Sequence, residues 1–405
     1  MLSPERKRYV AIMGLIGSGH GVSHFHLLAL PPLFPVLKDA FDVSYAALGL
    51  LITLMNLAAG LVQLPAGVLV DRLGAPKVLI AGLALSGLSI ALIGLAPSYW
   101  VVLVLVVLAG VGNSVFHPAD YTILNASIEP SRLGRAFAMH TFTGNLGFVA
   151  APTTMILLSS LFGWRVAMGI AGGLALVIMV LVQRYGYLLL ETGHQEPAPS
   201  LAQKSRSAGI GPILTLAVIT MLAFFILVSM VSSGMQSFSV AALVTHQGTG
   251  LAAANTILTA FLVAGACGVL LGGPLADRTT HHGKIAAAAL LGSALLLLLV
   301  GQAQLPYLAL IAVFVAIGLM QGVVRPSRDM MVRAVTPPGA TGRVFGFVSA
   351  GLNLGGAITP VLFGYMIDLG HARWIFVLMS LVLVLGIATI GIVQAQGRPQ
   401  PAPAE

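Results

Sequence analysis

The stretch LGRAFAMHTFTGNLGFVAAP, residues 133–152, recurs later in the chain as TGRVFGFVSAGLNLGGAITP, residues 341–360. The two copies match at a Gly-Arg pair, a Phe, an Asn, a Gly and a Pro, at a constant offset of 208 residues. Both copies lie in long apolar runs. Parallel repeats of apolar helices are an architecture of membrane transporters, with the solute site near the bilayer midplane between the repeats. The repeat therefore predicts a membrane protein made of two homologous halves.

The composition supports a lipid environment. Of the 405 residues, 58% are hydrophobic and only 8% are charged, whereas a soluble domain is typically about 25% charged. A helix needs about 20 mostly apolar residues to cross the hydrocarbon core. Runs of that kind are predicted at 10–37, 46–70, 75–96, 99–127, 135–160, 164–187, 212–240, 250–275, 284–302, 305–332, 340–367 and 372–394.

These runs predict an all-α integral membrane protein with 12 transmembrane helices in two homologous six-helix bundles. The predicted domains are an N-terminal bundle at 1–190, a cytoplasmic linker at 191–211 and a C-terminal bundle at 212–394, followed by a disordered cytoplasmic tail at 395–405. The linker and the tail are assigned from their Pro-rich and polar composition.

The charge distribution predicts the orientation. Most of the 20 lysines and arginines fall on segments that are cytoplasmic if the N-terminus is inside, and Lys38, Arg165 and Arg373 fall on the other side. The positive-inside rule then places both termini in the cytoplasm of a bacterial-type inner (plasma) membrane. The same rule explains the net charge of +8 as topology, so we expect no nucleic-acid partner.

Two further segments resemble known transporters. GVLVDRLGAPK, residues 67–77, has a partial second copy in GPLADRTTHHGK, residues 273–284. On these motifs the chain resembles the major facilitator superfamily over essentially its full length. NSVFHPADYTILNAS, residues 113–127, and TGNLG, residues 143–147, are similar to the fosmidomycin-resistance group of drug exporters within it.

The resemblance implies a conformational gate in the loop motif and its copy. In the family, charged side chains of this motif brace the cytoplasmic side of the outward-open state and separate when the halves rock. The implied gate residues are Gly67, Asp71, Arg72, Gly74, Lys77, Gly273, Asp277 and Arg278. The resemblance also implies that the first, fourth, seventh and tenth helices surround the solute cavity.

Histidines on the first predicted helix are candidate cavity residues. His20 and His24 are four residues apart and therefore share a helix face. Ionisable groups inside a membrane are costly and usually face a cavity or a partner; the alternative is a neutral histidine bonded to a neighbouring helix. The spacing also suits a metal ion, but the sequence offers no clear third ligand and lacks the Glu of an HExxH site. We therefore expect no metal and no cofactor.

The fourth predicted helix carries a candidate proton-coupling pair. His117 and Asp120 lie one turn apart beside Pro118, and a buried Asp needs a proton or a partner. At the repeat offset, His117 corresponds to Arg325 and Asp120 to Arg328. A guanidinium stays charged and suits binding of a carboxylate or phosphonate.

Each of these assignments has an alternative. Arg325 can instead pair with Asp329 on the same helix, and Arg328 can extend to the cytoplasmic surface. Asn56 is a further candidate for the cavity, or merely joins two helices. Asn145 and Asn353 occupy the same position in the two copies of the repeat. Both lie among glycines, which predicts close helix packing.

Together these features predict a proton-coupled secondary transporter that exports a small anionic or zwitterionic solute or drug by alternating access. The predicted substrate-binding residues are His20, His24, Asn56, His117, Arg325 and Arg328. The alternative is a proton- or anion-coupled uptake carrier for a small organic anion. A membrane-embedded enzyme or a metal-ion transporter using the histidines ranks lower, since no nucleotide-binding loop, nucleophile elbow or HExxH is present. The expected partners are the solute, protons and the lipid bilayer, and the expected state is a monomer.

Overall fold

A computed structural model describes residues 4–189, 214–337 and 341–396 of the chain, and these residues are helical with no strand. The predicted linker at 191–211 lies outside the described residues, as does all but the start of the predicted tail. The α-helices are α1 (Pro4–Leu27), α2 (Phe34–Phe41), α3 (Tyr45–Leu73), α4 (Ala75–Ile93), α5 (Tyr99–Asn113), α6 (Phe116–Ser127), α7 (Pro130–Phe162), α8 (Trp164–Tyr185), α9 (Leu216–Gln247), α10 (Leu251–Asp277), α11 (His282–Gln302), α12 (Tyr307–Ala334), α13 (Thr341–Asp368) and α14 (Ala372–Gln396). Short 3₁₀ helices cover Pro31–Leu33 and Gly186–Leu189.

Eleven segments in this part of the chain are long and apolar enough to cross a membrane, and α5 and α6 together form one of them. Helix α1 is not among the eleven, because its three histidines and its basic start lower its hydropathy. With α1 added, the structure has the twelve crossing helices that the sequence predicts, so the all-α membrane fold is confirmed.

Two predicted spans are interrupted, in both cases at prolines. The first was predicted to run over 10–37, but α1 ends at Leu27 and the chain restarts in α2 after Pro31 and Pro32. Proline disfavours the helical conformation of the residue before it and has no N–H to donate. In the fourth span, α5 ends at Asn113 and α6 begins at Phe116, because Pro118 offers no N–H to the carbonyl of Ser114.

The described residues form two compact units. The first unit comprises the described residues up to 189 together with Gln236–Leu262 and Pro360–Leu369. The second unit comprises the remaining parts of α9 and α10 together with α11, α12, most of α13, and α14. Helix α4 packs on α8 and α1 on α7 in the first unit, and α11 packs on α12 and α14 in the second. The predicted domain boundaries follow the chain order and stay a prediction.

The repeated stretch packs closely in both units, as its glycines predict. In the first unit, a Cβ at Gly147 on α7 would overlap the carbonyl oxygen of Gly21 on α1. In the second unit, a Cβ at Gly355 on α13 would overlap the carbonyl oxygen of Ile226 on α9. Small residues allow helix backbones to approach in this way inside a membrane. The two copies therefore perform the same packing task.

Helices from both halves of the chain meet within the first unit. The carboxylate of Asp368, at the end of α13, accepts hydrogen bonds from the backbone N–H groups of Tyr45 and Ala46, each at 2.8 Å. These N–H groups open α3 and have no intrahelical acceptor, and a carboxylate also suits the positive end of the helix dipole. In the same unit, the hydroxyls of Thr153 on α7 and Thr259 on α10 are 2.9 Å apart.

Candidate functional site

The first unit contains a group of four histidines and one aspartate, here called the His–Asp cluster, in which His24 is half-buried and His117 is exposed. It consists of His20 and His24 from α1, His117 and Asp120 from α6, and His140 from α7. His20, Asp120 and His140 are at most 2% exposed. Three helices therefore bring ionisable side chains from distant parts of the sequence together around a buried centre of His20, Asp120 and His140.

Asp120 lies at the centre of the cluster. Its Oδ2 atom is 2.9 Å from Nε2 of His140 and 3.5 Å from Nδ1 of His20. The rings of His20 and His140 stack with centroids 3.6 Å apart. Asp120 thus pairs with histidines of two other helices, and the proton-coupling role predicted for His117 and Asp120 stays a prediction.

The remaining two histidines surround His20. The ring centroid of His24 lies 4.4 Å from that of His20, and the centroid of His117 lies 5.2 Å from it. Space for the α1 rings depends on Gly144 of α7, where a Cβ would lie 2.8 Å from His20 Nε2 and 2.9 Å from His24 Cε1. His20, His24 and His117 therefore lie together, and their predicted role in solute binding stays a prediction.

His140 is the functional candidate that sequence reasoning missed. It lies inside the repeated stretch, where the second copy has Val348. A histidine in place of an apolar residue of the copy was the available signal. It is also buried and hydrogen-bonded to Asp120, so it belongs to the cluster rather than to the lipid face.

Several polar atoms of the cluster lack a partner. Nδ1 of His20, Nδ1 of His24 and Oδ1 of Asp120 are buried without a hydrogen bond to any described residue. Most buried polar atoms in proteins have a partner, and leaving one without costs about 1–3 kcal/mol. The cluster therefore has unused capacity to hold a proton, water or an ion.

The second unit contains a cavity of about 210 Å³ that carries two arginines. Its lining combines a few polar side chains with apolar ones: Val228, Ser229, Ser232, Leu290, Gln321, Val324, Arg325, Arg328, Leu352 and Leu383. Helix α12 supplies both arginines and Gln321. A mostly apolar concavity with a few polar groups is typical of a small-molecule site.

Arg325 and Arg328 differ in their surroundings. Nε of Arg328 donates to Oδ1 of Asp329 at 3.0 Å, and its guanidinium lies 4.3 Å from the ring centroid of Phe225. Arg325 is exposed, and within the described parts of the chain it has no hydrogen bond or ion pair. Arg328 therefore forms the ion pair with Asp329, and Arg325 interacts with that carboxylate only electrostatically, without a hydrogen bond.

The other predicted site residues lie elsewhere. Asn56 is half-buried on α3, and its role in solute binding stays a prediction. Within residues 4–189, 214–337 and 341–396, the motif residues Asp71, Arg72 and Lys77 are exposed and form no ion pair. The gate role of this motif, with Gly67, Gly74, Gly273, Asp277 and Arg278, also stays a prediction.

Comparison with known proteins places these features in one family. The model of the Major Facilitator Superfamily matches residues 16–235 and 222–405. The chain is 26% identical to the MFS-type transporter YfnC of Bacillus subtilis (strain 168), over 93% of this chain and 91% of that protein. It is 24% identical to the fosmidomycin resistance protein of Escherichia coli (strain K12), over 94% of this chain and 92% of that protein.

A solved structure has the same fold. The crystal structure of a bacterial homologue of the human lysosomal transporter Spinster, inward-facing and unoccupied, superimposes with a TM-score of 0.82. It covers 99% of this chain and 100% of that chain at 15% identity, so the likeness concerns the fold alone. The family match spans nearly the whole sequence and includes both copies of the repeat. This chain therefore belongs to the Major Facilitator Superfamily, a family of membrane transporters.

Proposed function

We propose that the protein is a secondary transporter that exports a small organic anion by alternating access. The observation that carries this proposal is the guanidinium of Arg325, which is exposed in the cavity of the second unit without an ion pair or hydrogen bond to the described residues. An arginine keeps its charge and binds carboxylates and phosphonates through two parallel hydrogen bonds. A charge on a membrane helix is costly, and it usually faces a cavity or a partner; Arg325 lines the cavity and has no ion pair with a described residue.

The rest of the cavity fits a small anion with an apolar part. Nε2 of Gln321 is buried and has no acceptor among the described residues, so it is available to a second oxygen of the solute. Leu290, Leu352 and Leu383 supply apolar contact. Arg328 already donates to Asp329 and lies over the ring of Phe225. We therefore propose that Arg328 makes the cavity more positive and that Arg325 binds the anion directly.

Export is the direction we propose, supported by the relative named fosmidomycin resistance protein. The coupling that the sequence analysis predicts is exchange with protons. Uptake of an organic anion is the alternative, and transport measured in both membrane orientations distinguishes the two directions.

The test is proton movement in energised inside-out vesicles that contain the protein, followed with a pH-sensitive dye. A panel of phosphonates, carboxylates, neutral sugars and cationic drugs is added one compound at a time. We expect recovery of dye fluorescence for one or more anions and none for the neutral or cationic compounds, because only anions satisfy Arg325.

Vesicles without the protein and vesicles with Arg333→Gln are the controls, since Arg333 is an exposed arginine of the same helix. Labelled anion uptake into right-side-out vesicles is measured in parallel. Response only in right-side-out vesicles would establish uptake instead of export. A response confined to neutral or cationic compounds would contradict the proposed substrate class.

Alternating access predicts that contacts between helices of the two halves must break during transport. Replacing Thr153 and Thr259 by cysteine in a Cys267→Ala background puts two thiols where hydroxyls are 2.9 Å apart, within reach of a disulfide. We expect oxidation to block transport and reduction to restore it. The Thr153→Cys single variant should be insensitive to the oxidant. Full transport by the cross-linked protein would show that this contact does not open in the cycle.

A further inference from the structure

We propose that His20, Asp120 and His140 form a binding site for a divalent transition-metal ion of the zinc type. This site lies entirely within the first unit, and the inference does not depend on which solute the second unit binds. The sequence analysis expected no metal because His20 and His24 lacked a third ligand. The fold supplies that ligand from α6 and a further one from α7.

The spacing of the donor atoms fits a metal ion. One ligand atom from each of His20, Asp120 and His140 lies within 4.8 Å of the others. Zinc binds nitrogen and carboxylate oxygen at about 2.0–2.2 Å, so tetrahedral ligand atoms are roughly 3.4 Å apart. The observed separations of 2.9 and 3.5 Å from Asp120 Oδ2 bracket this value. The third separation, between the ligand nitrogens of His20 and His140, is at most 4.8 Å. Because their rings stack with centroids 3.6 Å apart, the rings would have to tilt for both nitrogens to face one ion.

The unused atoms point to a ligand rather than to a hydrogen-bonded tie between helices. A simple tie between Asp120 and His140 needs one oxygen and one nitrogen, and that bond is present at 2.9 Å. It leaves Oδ1 of Asp120 and Nδ1 of His20 buried without a hydrogen bond in the described structure. The acceptor nearest to Nδ1 of His20 is Oδ2 of Asp120 at 3.5 Å, at the limit of a hydrogen bond, and a cation bound between the two groups would take the free lone pair of this nitrogen.

The kind of donor selects the kind of ion. Imidazole nitrogens with a carboxylate suit zinc and neighbouring transition metals, whereas calcium and magnesium prefer all-oxygen sets. The single negative charge of Asp120 offsets part of the charge of a divalent ion in this buried place. Tetrahedral zinc takes four ligands, and His24 or His117, both next to His20, can provide the fourth.

The experiment uses the full-length protein without an affinity tag, stripped with a chelator and placed in lipid nanodiscs. Zn²⁺ is titrated by calorimetry, and Co²⁺ is added separately so that the visible absorption of a tetrahedral cobalt site reports the coordination. We expect one ion per chain. We expect Zn²⁺ binding to weaken at least about tenfold in each of three variants, His20→Gln, Asp120→Asn and His140→Gln. Removing a group that only supports a metal ligand already weakens binding about 10–100-fold, so removing a ligand should cost at least as much.

The matched control is the double variant His281→Gln/His371→Gln, which removes two exposed histidines and should bind Zn²⁺ like the original protein. A cooperative thermal unfolding transition without Zn²⁺ checks that each variant is folded. A rise in the unfolding temperature on adding Zn²⁺ reports binding to the folded protein. The proposal is overturned if the original protein binds no Zn²⁺. It is also overturned if the control loses binding, or if all three folded cluster variants bind as the original does. In those cases the cluster would be left to protons, as the sequence analysis predicts for Asp120.

Discussion

Replacing Arg325 by glutamine is expected to lower anion transport by on the order of 100-fold at limiting solute concentration. Losing a hydrogen bond to a charged group costs about 1.5–3 kcal/mol, and ~2.7 kcal/mol corresponds to a factor of 100. Arg325 is the cavity arginine without a hydrogen bond or ion pair to a described residue, so its N–H donors are available to the solute. Initial rates of labelled-anion transport in vesicles measure the effect.

Two further variants make this result specific. Arg325→Lys keeps the charge but loses the planar pair of donors, so an intermediate loss is expected. Arg333→Gln should transport normally because Arg333 is exposed near the end of α12 and does not line the cavity. Equal transport by Arg325→Gln and Arg333→Gln would remove Arg325 from the solute site.

Replacing Gly147 by alanine is expected to destabilise the protein by about 3 kcal/mol or more, the upper range for overpacking. The added Cβ would overlap the carbonyl oxygen of Gly21, which is backbone and cannot rotate aside. Helix α1 would have to move away from α7, and His20 and His24 would move with it. Thermal unfolding in detergent and the yield of monodisperse protein measure the effect.

Gly173→Ala is the matched control, because nothing lies within 4 Å of a Cβ at that position of α8. It should be neutral or slightly stabilising, since alanine is the better helix former. Gly355→Ala should resemble Gly147→Ala, because its Cβ would meet the backbone of Ile226 in the same way. A Gly147→Ala protein as stable as the Gly173→Ala protein would contradict the packing seen between α1 and α7.

The sequence predicted the twelve crossing segments well because lipid imposes a simple rule. Every backbone polar group must be bonded within the segment, so apolar length alone indicates a helix. The errors occur where prolines interrupt an apolar run. The run at 10–37 divides at Pro31 and Pro32, and the run at 99–127 divides before Pro118. A hydropathy value measures how apolar a residue is, so it gives no sign that proline lacks the backbone N–H that a helix needs.

The site was predicted only in part because it depends on contacts between helices. Sequence reasoning selected His20, His24, His117 and Asp120 as polar residues in apolar surroundings, and the structure brings them together. It did not select His140, which completes the cluster across α6 and α7. It offered Asp329 to Arg325 and the cytoplasmic surface to Arg328, whereas in the structure Arg328 bonds to Asp329 and lies over Phe225.

The sequence by itself determined that this protein is a helical membrane transporter whose two halves are copies of one repeat. Its apolar runs, its loop motif and the stretch repeated at 133–152 and 341–360 are all local or periodic, so they can be read without coordinates. Only the tertiary structure decided that Asp120 meets His140 and that Arg328 rather than Arg325 forms the ion pair with Asp329. Those facts depend on how helices far apart in the chain are rotated and packed, which periodicity along one helix does not specify.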